Sequence, residues 1–250
     1  MHRSQIRVAL SLLAASLLPI SHVRPVEAKT NSTCGYRHVE VSKVQGTELA
    51  TTCKALADVV TYFHNIDLDF DPIVSLKFRD KIVEVSRSAP PGRSYGYFDE
   101  RNDTIVMMRS SVAHPWGLDW NSELAASFLR HELTHMAVRL ILGNDYGRLR
   151  PEWHEFIAYS VQFELMNPSL RNSILASHRE VMEFPSLAGI NEFTSRMDPA
   201  IFSIASYKTY QHNGSEKLIR RLLRFEFQPP SMSYPFAVLP GQIPQVVRRK

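Results

Sequence analysis

The chain has 250 residues, 44% of them hydrophobic and 22% charged, the composition of an ordinary folded protein, which excludes a disordered tail or a fibre. Its 29 basic residues against 25 acidic ones leave only +4, and the last three residues form its one block of like charge, so no nucleic-acid partner is expected.

Reading in chain order, Met1 to Arg7 carries two arginines, and Val8 to Ile20 is an uncharged, largely apolar run. Val26-Glu27-Ala28 then supplies a small-residue cleavage pattern, so residues 1–28 read as a signal peptide and the protein as secreted or periplasmic. The alternative is an uncleaved N-terminal anchor. No later stretch stays apolar for about eighteen residues, and no stable membrane span is expected once the signal is removed. Export makes the cysteines legible. Cys34 and Cys53 are the only pair, and an oxidising compartment would join them across a short loop, contributing roughly 3 kcal/mol and pinning an N-terminal strand to the helix that follows. Two free buried thiols are the alternative.

From Thr47 to Asn65 the apolar residues Leu49, Ala50, Cys53, Leu56, Ala57, Val60 and Phe63 recur at three and four, which predicts a helix. Ile73 to Phe78 and Lys81 to Val85 alternate and are rich in branched residues, which predicts strand. Tyr95–Phe98 and Thr104–Met108 flank the polar cluster from Asp99 to Asp103 and read as a β-hairpin. A long helix should be capped at Asn121 or Ser122 and run to Leu142, with Gly143 just past its end. The next should start at Pro151 and stop at Asn167-Pro168. Ser169–Met182, Pro199–Gln211 and Glu216–Phe225 read as further helices, the last capped through Asn213-Gly214-Ser215. Prolines at 229, 230, 235, 240 and 244 make residues 228–250 an extended tail. Strands first and helices afterwards predict an α+β protein, one domain over residues 29–227 with a largely helical C-terminal half.

The segment that carries chemistry is His131-Glu132-Leu133-Thr134-His135, an H-E-x-x-H pattern. On a helix, residues four apart lie on one face, so both imidazoles can reach one Zn²⁺ while Glu132 serves as general base. Leu124, Phe128, His131, His135, Val138 and Leu142 form one stripe, which turns the histidines into the protein. The bland reading is a pair of core histidines bonded to backbone or carboxylate. A catalytic zinc needs a third ligand and an open position. The H-x-x-G-x-x-H continuation is absent, because Val138 holds the glycine position and Ile141 that of the third histidine. A carboxylate on the next helix remains. His135 lies roughly 10 Å before the end of its helix and Glu155 roughly 6 Å into the next, so a reversal over 143–150 brings them to similar height. Glu152, one turn earlier, competes with Glu155, and Asp145 and His154 are weaker alternatives.

His131-Glu132-x-x-His135 with Glu155 twenty residues on resembles the thermolysin-like gluzincin zinc metallopeptidases. Pro151-Glu152-Trp153-His154-Glu155-Phe156-Ile157-Ala158-Tyr159 is similar to a stretch of small peptidase-MA-like domains, with Phe156 in place of a glycine and Trp153 two residues before Glu155 instead of three. The likeness runs weakly from Ser94 to Phe225. It implies a zincin-like fold, a peptide or protein substrate, an exposed hairpin strand where that peptide could lie, and a downstream Tyr or His near the oxyanion. Tyr207, Tyr210, His178 and His212 are the candidates, and Tyr207 is the one taken. Trp116, Trp120 and Trp153 are expected to pack and not to wall a subsite. The function expected is zinc-dependent peptide hydrolysis through His131, His135, Glu155 and Glu132. The alternatives are a zinc-binding but non-proteolytic envelope protein, or an envelope binding protein without metal.

Overall fold

The structure is a computed structural model that describes residues 33–80, 95–110 and 114–230. The signal peptide, the strand expected at Lys81–Val85 and the tail from residue 231 lie outside the described residues. Within them the chain runs β1 (His38–Ser42), α1 (Glu48–Asn65), β2 (Ile73–Arg79), β3 (Gly96–Asp99) and β4 (Thr104–Met108). There follow α2 (Ser122–Leu142), α3 (Pro151–Glu164), α4 (Pro168–Ser177), α5 (Glu192–Met197), α6 (Pro199–His212) and α7 (Glu216–Leu223). The fold is α+β as expected, with the strands on the N-terminal side and helices filling the C-terminal half.

The four strands lie in the order β1-β2-β4-β3, with β1, β2 and β4 parallel and β3 antiparallel to β4. β1 alternates buried Val39 and Val41 with exposed His38 and Glu40, as a strand with one covered face must. Parallel pairing of β1 with β2 needs a crossover, which α1 supplies, laying Ala55, Leu56, Val59 and Phe63 into the core. Cys34 and Cys53 are joined, fixing the segment before β1 to α1. The hairpin turns where expected. The Asp99 carboxylate accepts from the Arg101 N–H at 3.1 Å and from Asn102 Nδ2 at 3.0 Å.

α2 is the central element. Asn121 caps it by accepting from the N–H groups of Glu123 and Leu124, and Gly143 closes it at φ 51 with its N–H on the Arg139 carbonyl. The sequence stripe proves too narrow: α2 packs on α1, α3, β3 and β4, so Arg130, Glu132 and Thr134 are buried as well. Residues 143–148 form a 3-10 turn that reverses the chain into α3, which packs on α2 and α6.

The helices differ from the sequence reading in several places, and α3 already ends at Glu164, ahead of Asn167-Pro168. The helix expected to Met182 stops at Ser177, because the Val181 carbonyl is held by Lys208 Nζ and the Phe184 N–H donates to Thr209 Oγ1 at 2.8 Å. α5 was not expected, although Asn191 and Thr194 form the capping box that starts it. α7 ends at Leu223, and Ser215 occupies its N-cap position at φ 53 without a side-chain cap bond.

Candidate metal centre

The long helix and the turn after it bring the predicted ligands together. His131 Nε2 and His135 Nε2 are 3.1 Å apart. Glu155 Oε2 lies 3.4 Å from His131 Nε2, and Glu155 Oε1 lies 3.6 Å from His135 Nε2. A tetrahedron with zinc bonds near 2.0–2.1 Å has edges of about 3.3–3.4 Å. The two Glu155 contacts run through different oxygens, and with one atom per residue the three donors lie within 4.8 Å of one another, a set that could hold such an ion. His131 is buried, while His135 and Glu155 are only half-buried, so the cluster has one wet side.

Each member is held from behind. Gln162 Oε1 meets His131 Nδ1 at 3.1 Å, and the Tyr159 ring tilts against the His131 ring with centroids 4.4 Å apart. Both lie on the Glu155 face of α3, one and two turns further along. Glu132 is buried where β3 crosses α2, and its carboxylate accepts the main-chain N–H of Phe98. The approach is close at Gly96: a Cβ there would fall 2.6 Å from the movable end of Met107, 3.2 Å from the Val106 carbonyl and 3.3 Å from Glu132 Cγ. Met108 N–H donates to the Tyr95 carbonyl, so by the ladder alternation the main-chain groups of Gly96 and Phe98 point to the side of β3 that has no partner strand among the described residues.

Burial and mutual charge tune the cluster in the metal-free protein. Burial pushes the Glu132 carboxyl up to about 7, aided by the Glu155 charge and opposed by His131 and the Phe98 N–H. Burial also lowers His135, to about 3, against the pull of Glu155. Burial acts to raise Glu155, but the two imidazoles outweigh it and hold the carboxyl down at about 2. For His131 burial is outweighed by its contact with Glu155, and the imidazole is raised. Tyr159 is raised well above the usual phenol range by burial and then by the Glu155 and Glu132 charges.

The other candidates lie elsewhere. Glu152 is buried and pairs with Arg150 Nη2 at 2.8 Å, and Asp145 pairs with Arg148 at 3.2 Å. His154 Nε2 faces the Leu149 carbonyl at 3.0 Å. The Tyr207 hydroxyl donates to Glu164 at 3.2 Å and accepts from Gln211 at 2.9 Å. Glu164 is nine residues beyond Glu155 on α3, roughly 13 Å along its axis, so Tyr207 is not brought to the cluster. Tyr210 meets the Tyr62 hydroxyl at 3.3 Å, His178 Nδ1 meets the Ile174 carbonyl at 3.1 Å, and His212 is exposed at the end of α6. Trp116 stacks on Phe128, Trp120 on Tyr95 and Phe128, and Trp153 packs on Phe156.

A cleft of about 450 Å³ adjoins the cluster, lined by Glu155, Tyr159, Arg150, Glu152, Arg196 and Ser195 among others. Its walls are charged, with Arg150 on Glu152 and Arg196 on Glu192 at 3.0 Å. The sequence reading gave no role to Gln162, Tyr159 or Gly96, although spacings of seven and four from Glu155 mark the first two.

The fold and site thus define an α+β protein with a two-histidine, one-carboxylate candidate metal centre. The chain belongs to a family of unknown function, DUF6639, whose model matches residues 39–229. No curated protein and no solved structure matches it.

Proposed function

We propose that the chain is a zinc-dependent hydrolase and that its reaction is peptide-bond hydrolysis. The observation that supports this best is the convergence of His131, His135 and Glu155 with Glu132 beside them under β3, the edge strand among the described residues. Two imidazoles and a carboxylate are a donor set of catalytic zinc, where a fourth position stays open. When bound, the cation supplies Lewis acidity toward an amide carbonyl and makes a nearby water more acidic.

The protein supplies the rest. His131, His135 and Glu155 bind and orient the ion. Glu132, adjacent to His131 on α2, takes a proton on its carboxylate and returns it to the leaving amine nitrogen. The edge main-chain groups of Gly96 and the Phe98 carbonyl can pair with an extended peptide as an added strand, and the cleft beyond Glu155 gives that peptide a polar channel away from the cluster. The Cys34–Cys53 bridge suits an oxidising compartment, and among the described residues no helix is long and apolar enough to cross a membrane; both agree with a secreted or periplasmic protein.

The test is metal analysis of purified wild type and Glu132→Gln, followed by digestion of a peptide library. One zinc per chain in both, with cleavage by wild type only, is the expected result. Full turnover by Glu132→Gln would remove Glu132 as base. A zinc-loaded wild type that cleaves no peptide would favour the non-proteolytic alternative.

A further inference from the structure

Behind His131 runs a buried line of polar groups that the reaction itself does not use. His131 Nδ1 is 3.1 Å from Gln162 Oε1, Gln162 Nε2 is 3.1 Å from Ser127 Oγ, and Ser127 Oγ is 3.0 Å from the Leu124 carbonyl. Gln162 and Ser127 are fully buried and His131 is 5% exposed, so no bulk water can substitute for a missing partner. From the Leu124 end, hydrogen positions follow in one direction. A carbonyl oxygen only accepts, so the Ser127 hydroxyl donates to it and keeps its lone pairs for the Gln162 amide. The Gln162 N–H₂ therefore faces Ser127 and its Oε1 faces His131. An acceptor at that point requires a hydrogen on Nδ1, which leaves Nε2 with a bare lone pair, and Nε2 is the atom that faces His135 and Glu155. The flipped amide would leave Ser127 without a hydrogen for one of its two oxygen partners.

We infer that Gln162, held by Ser127, is the positioning residue for His131, fixing the tautomer and ring orientation in which Nε2 is the donor to a divalent cation. The inference rests on the metal-centre reading above and adds a function for two residues of α2 and α3. Because the partner is a neutral amide, it orients the ring without adding negative charge to it. A carboxylate there would also raise the donor strength of the imidazole.

Zinc affinity, read by competition with a chromophoric chelator, tests this without reference to turnover. Gln162→Met keeps the volume and removes the acceptor, and should weaken zinc binding about 10–100-fold, the usual cost of losing such a partner. Gln162→Glu restores an acceptor and should recover wild-type affinity or exceed it, whereas a residue that merely fills space would not be rescued this way. Wild-type affinity in Gln162→Met would overturn the inference and leave the metal centre standing. A wild type that binds no zinc would instead remove the metal reading. A long-range proton–nitrogen correlation of the wild-type histidines needs no variant to fold: a proton on Nδ1 of His131 is expected with or without zinc, and a neutral ring with its proton on Nε2 and a bare Nδ1 would overturn the assignment.

Discussion

Arg130 Nη2 lies 2.7 Å from Asp58 Oδ2, tying the helix that carries both histidines to the crossover helix of the sheet. The Arg130 side chain is 8% exposed and that of Asp58 24%, so the pair sits at the margin of the core. Asp58→Ala would strand a buried charge one residue from His131. The expected loss is about 2–3 kcal/mol in urea unfolding, somewhat under the cost of breaking a fully buried pair because Asp58 is partly wet. A loss below about 0.5 kcal/mol would mean that Arg130 finds another partner.

Glu155 and Glu152 are distinguished by their partners. Glu155 faces both imidazoles, whereas Glu152 faces Arg150. Glu155→Ala should reduce zinc affinity by more than the roughly 100-fold upper range for residues behind a ligand, and Glu152→Gln should retain it. The reverse pattern in equilibrium dialysis would reassign the third ligand.

Tyr207→Phe removes hydrogen bonds to Glu164 and Gln211 far along α3. It should cost about 1 kcal/mol of stability and leave kcat within about twofold. A tenfold fall in kcat with unchanged melting would return Tyr207 to the site.

The metal-free cluster predicts a flat-topped stability profile. His135, near 3 when folded and near the ordinary imidazole value when unfolded, takes a proton in the unfolded state first, so its contribution is lost as pH falls from about 6.5 toward 3. Glu155, near 2, acts with the same sign below about 4.5. Glu132, near 7, holds its proton in the folded state and loses that contribution as pH rises from about 4.5 to 7. Between about 4.5 and 6.5 the slopes from His135 and Glu132 cancel, and below 4.5 stability falls. Melting in chelator should show this shelf, and Glu132→Gln should convert it into a rise; an unchanged shelf in the variant would refute the account.

The sequence carried the site farther than the fold around it. His131 and His135 were legible because one helix sets their separation, and Glu155 because a single turn joins two helices whose ends proline and glycine mark. Tyr207 was not, since its placement depends on how α6 packs on α3, which no local spacing encodes. The parallel order β1-β2-β4 was equally hidden, because alternation says which face of a strand is buried and nothing of its neighbour. The all-round burial of α2 was masked by its charged residues, whose partners Asp58 and Phe98 lie far off in the chain.

Gly96 acts as a spacer of zero thickness. With only hydrogens on its α-carbon, β3 lies close over α2, and an added Cβ would come within 3.3 Å of Glu132 Cγ, so that side chain would have to give by a fraction of an ångström. Bulk at this one position would therefore be felt at once by the group that would move a proton beside the strip that would receive a peptide.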